Sequence, residues 1–173
     1  MSMEIRRTSP ADLPRLLEIY AAARRFMAET GNPRQWGPRA WPPEALLRQD
    51  IAAGKSWVCT EAGRVVGTFF LDFGPDPEPT YRVIEGAWGD PSPYGVVHRI
   101  ASDGSVRGVG GFCLRWALAR CGHLRIDTHP DNRPMQNLLS KLGFAYRGVI
   151  HIEQDDDPRL AYEKSGAFDA SPP

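Results

Sequence analysis

Residues 106–118, VRGVGGFCLRWAL, place three glycines and an arginine directly ahead of an apolar, helix-compatible run. Glycines let backbone N–H groups turn toward a ligand, and the positive end of a helix dipole follows them, so the pattern describes a cradle for an anion. An ordinary tight turn uses the same residues, so the reading needs support from elsewhere in the chain. The loop is not a Walker-type phosphate loop, because no Gly-Lys-Ser or Gly-Lys-Thr closes it. Nor is it a dinucleotide fingerprint, since the strand before it does not begin a βαβ half.

At 173 residues the chain has the length of one domain, expected over residues 1–165 with a frayed tail at 166–173. Basic and acidic side chains balance at 21 each, so no overall field favours nucleic acid or an anionic membrane. Cys59, Cys113 and Cys121 are odd in number, lie in apolar surroundings and lack metal-ligand spacing. They are expected as reduced thiols in a cytoplasm, with no disulfide and no metal. The start, MSMEIRRTSP, has no apolar leader segment, and no run approaches the roughly 18 apolar residues of a membrane span, so a soluble cytoplasmic protein is expected.

Residues 3–7 read as a strand, after which Ser9, Pro10 and Asp12 signal the start of a helix. Leu13, Leu16, Leu17, Tyr20, Ala23 and Met27 then recur at helical spacing, with Arg15, Glu18 and Arg24 on the wet side and Gly31 as the stop. The segment GNPRQWGPRAWPP is an ordered loop or lid whose Trp36 and Trp41 cover a core edge or meet substrate. A second helix is expected over residues 44–53, with Leu46, Leu47 and Ile51 buried, followed by a hairpin turning at Ala62 and Gly63. TYRVIEGAW is a further strand or an ordered excursion, and YGVVHRIAS a central strand. The glycine loop and its helix follow, then the strand HLRIDT and a helix capped by Asn132 and stopped at Gly143. A hairpin of residues 146–152 and 159–164 ends the domain. The order predicts a mixed α/β (α+β) domain.

Charged residues in two of these strands carry the chemistry. A buried central strand should be nearly continuous in apolar residues, yet YGVVHRIAS holds His98 and Arg99 in its middle. The strand period of two puts Arg125, Asp127 and His129 on one face, near a strand end of the kind that receives ligands in α/β sheets. Asp127, His129 and His98 are therefore the candidates for acid–base work. A buried network, such as Asp127 holding Arg99, accounts for the same residues. No GxSxG elbow is present for a hydrolase, and Cys113 reads as a small buried helical residue.

Taken together, IASDGSVRGVGGFCLRWAL, HLRIDTHPDN and NLLSKLGF resemble the GCN5-related N-acetyltransferase (GNAT) superfamily, over roughly residues 3–164. The combination of HRIA with RIDTH and DN looks like a bacterial subgroup of it. The resemblance implies a single domain with a central, mostly antiparallel, twisted sheet of six to seven strands and about four helices. It implies acetyl-CoA as cosubstrate, its pyrophosphate bound by Arg107, Gly108, Val109, Gly110, Gly111 and Phe112. Phe112 departs from the family's closing Gly or Ala. The thioester would lie along Ile100 and Ser102, polarised by an amide there. Asn132, with Gly143 and Phe144 eleven residues on, matches the second half of the family pattern and joins the cofactor-binding set.

The same resemblance implies an N-acetyltransferase acting on a primary amine of a small molecule or peptide by direct attack. Asp127 falls where some members carry a glutamate base, and a histidine such as His129 is better matched to neutral pH, so the base is Asp127, directly or through water, or His129. The tyrosine that protonates the departing thiolate in many members falls at Leu139. Tyr81 and Tyr94 are the other phenols available. The acceptor is expected at the loop of Trp36 and Trp41 and around Tyr81, Trp88 and Tyr94. A non-catalytic acyl-CoA-binding or protein-binding module is the alternative, and a homodimer through sheet edges near the last hairpin is compatible with the pattern.

Overall fold

The computed structural model describes residues 2–166; most of the tail expected at 166–173 lies outside them. The described residues form a mixed α/β fold of four helices and eight strands, with one more strand than the upper expectation. They group into two compact units. One comprises residues 2–71 with His98–Cys113, the other Asp72–Val97 with residues 114–166.

In the first unit, β1 (Met3–Arg7), β2 (Ser56–Glu61), β3 (Arg64–Gly74) and the second half of β5 (Tyr94–Ser102) run in the order β1-β2-β3-β5. Ala62 and Gly63 both take positive φ, 50° and 78°, which is the turn that a two-residue hairpin between right-twisted strands requires. Helix α1 (Leu13–Glu29) starts later than the sequence signal at Ser9, because Pro10–Asp12 first make a 3-10 turn whose Asp12 accepts from the Ser9 N–H and from Arg6. Its buried stripe gains Ile19, while Leu17 and Met27 are only partly covered. Arg15, expected in solvent, reaches the Val65 carbonyl and Asp103. Helix α2 (Glu44–Ala52) buries Leu47 and also Asp50, which the apolar pattern gave no reason to place inside.

In the second unit the order is β5-β6-β8-β7-β4, with β6 (His123–Thr128), β8 (Arg159–Ser165), β7 (Ala145–Ile150) and β4 (Glu85–Gly86). The two-residue β4 is the extra strand and falls within TYRVIEGAW, the stretch expected as a further strand or an ordered excursion. Among the described residues of this unit the pairings are antiparallel except β5 with β6, which is parallel and pairs Gly95↔Leu124 and Val96↔Arg125. Helix α3 (Val109–Cys121) and β5 each contribute residues to both units. Helix α4 (Arg133–Lys141) is bounded as its sequence signals. The Asn132 side chain accepts from the Met135 N–H, and at the other end Gly143 N–H donates to Ser140 O while Phe144 N–H donates to Leu139 O. This is a Schellman stop, with Gly143 at φ +84°. Among the described residues no helix is long and apolar enough to cross a membrane.

Candidate active site

Gly108 O accepts the first ladder bond of α3, from Phe112 N–H at 2.9 Å. The N–H groups of Val109, Gly110 and Gly111 therefore precede the helical ladder, where a helix presents donors and its positive dipole end. Gly108 has φ +81°, and a Cβ there would meet nothing within 4 Å, so its glycine serves the backbone conformation, not a close packing contact. Val109 is buried, with its Cγ1 2.5 Å from where a Cβ on Gly67 would stand, so Gly67 is what lets the start of α3 lie on β3. The loop before the helix is pinned by Asp103, whose N–H donates to Val66 O and whose carboxylate takes Arg15, Arg64 and both N–H and O–H of Ser105. Burial alone would push that carboxyl up, but the Ser105 and arginine bonds outweigh it and bring it down to about 2.

In the same unit β5 is bent at Arg99, a non-glycine residue at φ +52° in the middle of a strand. Its guanidinium pairs with Asp50 at 2.9 and 3.0 Å and lies 4.5 Å from the Phe70 ring centroid, and its carbonyl accepts from the Tyr20 hydroxyl at 2.7 Å. Asp50, not Asp127, is thus the carboxylate that holds Arg99. His98 is half-buried with its ring 5.7 Å from that of Phe70. Ile100 and Ser102 are half-buried beyond the bend. Trp36 packs edge-on against Tyr20 inside the hydrophobic cluster and is 6% exposed, so the structure places it in the core.

In the other unit Asp127 is half-buried near the end of β6, where its Oδ2 accepts from the Tyr81 hydroxyl at 2.6 Å. Burial raises the Tyr81 phenol well above its ordinary range, and the Asp127 charge raises it further, so the bond is O–H to carboxylate. Trp88 donates to the Tyr81 carbonyl and lies against its ring. His129 is 4% exposed with both ring nitrogens engaged: Nδ1 accepts from the Asp131 N–H at 3.0 Å and Nε2 stands 2.8 Å from Asp157. It clasps the end of β6 to the loop before β8. Strand alternation places it correctly beside Asp127 in sequence, but the ring is spent on structure. Leu139 is fully buried.

A crystal structure of a GNAT-family acetyltransferase from Streptococcus agalactiae 2603 is 32% identical over 94% of this chain and 95% of its own, at a TM-score of 0.81. This chain belongs to the GNAT family of acetyltransferases. Two more distant structures share the fold. One is described as histone acetyltransferase HPA2 and related acetyltransferase from Corynebacterium glutamicum ATCC 13032, 21% identical over 99% of this chain and 100% of its own, TM-score 0.63. The other is the ribosomal-protein-S18-alanine N-acetyltransferase from Escherichia coli, 13% identical over 98% and 97%, TM-score 0.62. No protein-family model matches the sequence, and no curated protein matches it.

Against the residues expected from the GNAT resemblance, the structure adds Tyr20 and Asp50 around Arg99, which sequence reading missed. Tyr20 belongs to the apolar stripe expected of α1, and Asp50 is outside the buried set expected of α2; only the polar Arg99 in a buried strand signals that a partner has to exist. Asn132 serves as the α4 cap. A second buried network sits beside the aromatics: the Glu163 carboxylate takes the Gly89 N–H, Arg125 and Arg147 and faces His123 Nε2. Arg125 is sandwiched 4.3 Å from the centroids of both Trp88 and Tyr94.

Proposed function

We propose that this GNAT chain transfers the acetyl group of acetyl-CoA to a primary amine of a small molecule or exposed peptide, by direct attack, in a cytoplasm that keeps its three free cysteines reduced. The observation that carries the reading is the opening of α3, where the Val109, Gly110 and Gly111 amides lie ahead of the first ladder bond behind a glycine at φ +81°. These donors and the dipole suit a pyrophosphate, with Arg107, exposed beside them, as a further cation.

Acetyl-CoA supplies the acetyl group already activated as a thioester. Backbone at Ile100 and Ser102 holds it, and an amide there polarises its carbonyl. Asp127, fixed by Tyr81, takes the proton that the attacking ammonium gives up, directly or through water. The amine nitrogen bonds to the acetyl carbon as the carbon–sulfur bond breaks, and CoA leaves with the bonding electrons. Leu139 offers it no proton, so the second proton that the nitrogen sheds on becoming an amide reaches the thiolate through water. His129 is not assigned the base's role, because both of its ring nitrogens are occupied within the fold.

Thiol release from acetyl-CoA against a panel of primary amines and peptides tests this. Asp127→Asn should lower turnover on the best acceptor by about 10²- to 10⁴-fold. Full activity in that variant sinks the assignment. The burial of Leu139 at the usual tyrosine position favours a second reading, a non-catalytic acyl-CoA-binding module. Binding of acetyl-CoA with no turnover on any amine decides for it.

A further inference from the structure

Arg99 takes φ +52° inside β5, a conformation that costs an L-residue with a side chain on the order of 1–2 kcal/mol and turns the following peptide out of a regular strand's alternation. Such strain persists only where the surroundings over-determine it, and here three elements do. Asp50 on α2 pairs with the guanidinium, whose flat face lies on Phe70 of β3, and the paired side chains are only 8% and 12% exposed. Tyr20 on α1 donates to the Arg99 carbonyl at 2.7 Å. That carbonyl and the Ile100 N–H belong to one planar trans peptide and point in opposite directions. Holding the oxygen therefore fixes where the Ile100 N–H points.

We propose that Tyr20 and Asp50 are positioning residues that, through Arg99, aim the Ile100 N–H at the thioester carbonyl of the acyl donor. The inference rests on the function proposed above, in which backbone at Ile100 polarises that carbonyl. Tyr20 acts on the peptide plane, and Asp50 with Phe70 keeps the strained residue from relaxing to an ordinary strand conformation. A donor aimed away from the developing oxyanion loses stabilisation of the transition state while leaving ground-state binding of the CoA moiety largely intact.

The test uses the full chain with Tyr20→Phe, Arg99→Gly and the double variant, measuring kcat with acetyl-CoA and the best amine of the panel, KM for acetyl-CoA, and Tm. Glycine adopts the positive φ without strain, so Arg99→Gly keeps the fold while releasing the clamp. Each single variant should lose at least about tenfold in kcat at a temperature where it is folded, with KM for acetyl-CoA within about threefold of wild type; Arg99→Gly, which leaves the buried Asp50 without its partner, should also lower Tm, and Tyr20→Phe should change Tm little. The double variant should fall no further than about threefold below the worse single one, since both act on one peptide. Wild-type kcat in either single variant, losses that multiply in the double variant, or loss confined to KM or Tm overturns the positioning role. A wild-type chain that binds no acetyl-CoA, or acetylates no amine, overturns the proposed function and this inference with it.

Discussion

The Tyr81 hydroxyl donates to Oδ2 of Asp127 across 2.6 Å, from a side chain only 1% exposed. A hydrogen bond to a charged group contributes about 1.5–3 kcal/mol, and its role here is to hold the carboxylate in one orientation. Tyr81→Phe should lower kcat by about tenfold with KM for acetyl-CoA unchanged, because the phenol bonds the carboxylate proposed as the base. Steady-state kinetics with the two substrates varied separately checks it. An unchanged kcat would remove Tyr81 from the orientation of Asp127.

Gly108→Ala puts a Cβ on a residue at φ +81° with open space around it, so the cost is conformational, about 1 kcal/mol. The fold should lose about 2–4 °C in Tm. Acetyl-CoA should bind about five- to tenfold more weakly, because the amides of the following turn are no longer held at their angle. Calorimetric titration reads the second effect independently of any acceptor.

His129→Ala separates structure from catalysis. The substitution deprives the Asp131 N–H of its acceptor and removes the clasp to Asp157, which should cost about 2 kcal/mol, or 4–8 °C in Tm. Turnover at a temperature where the variant is folded should stay within about threefold of wild type. A collapse of kcat with Tm preserved would restore His129 as the base.

Asp103 gives the chain an acid-sensitive pin. Its folded-state carboxyl is brought down to about 2, against an ordinary value of 3.8, by Ser105, Arg64 and Arg15 acting against burial. A depressed folded value means stabilisation that is fully present above about pH 4 and is lost as pH falls toward 2, on the order of 2 kcal/mol. Denaturant unfolding of wild type and Asp103→Asn should differ at pH 6 and converge as pH approaches 2. A difference that persists unchanged to pH 2 would remove Asp103 from the acid response.

Local signals carried most of the fold. The Asn132 cap, the Gly143 stop and the Ala62-Gly63 turn are each set by residues within a few positions, and all three are found as read. What the sequence hid was long-range. Asp50 lies 49 positions from Arg99, and Glu163 collects partners from Gly89 to Arg147; nothing in helical or strand period links such residues. The polar character of the buried strands announced that partners existed without saying which. His129 misled for a related reason, because alternation fixes the face a side chain takes but not whether its nitrogens are already bonded.

Acetyl transfer from acetyl-CoA to a primary amine, with Asp127 taking the proton, is the activity proposed for this chain. Mass spectrometry of the full chain incubated with isotopically labelled acetyl-CoA and a cell extract tests it most directly. Label is expected in amide linkage on a primary amine, matched by released CoA and reduced at least about 100-fold in Asp127→Asn. Labelled product formed equally by wild type and Asp127→Asn, or bound acetyl-CoA with no labelled amine at all, would contradict it.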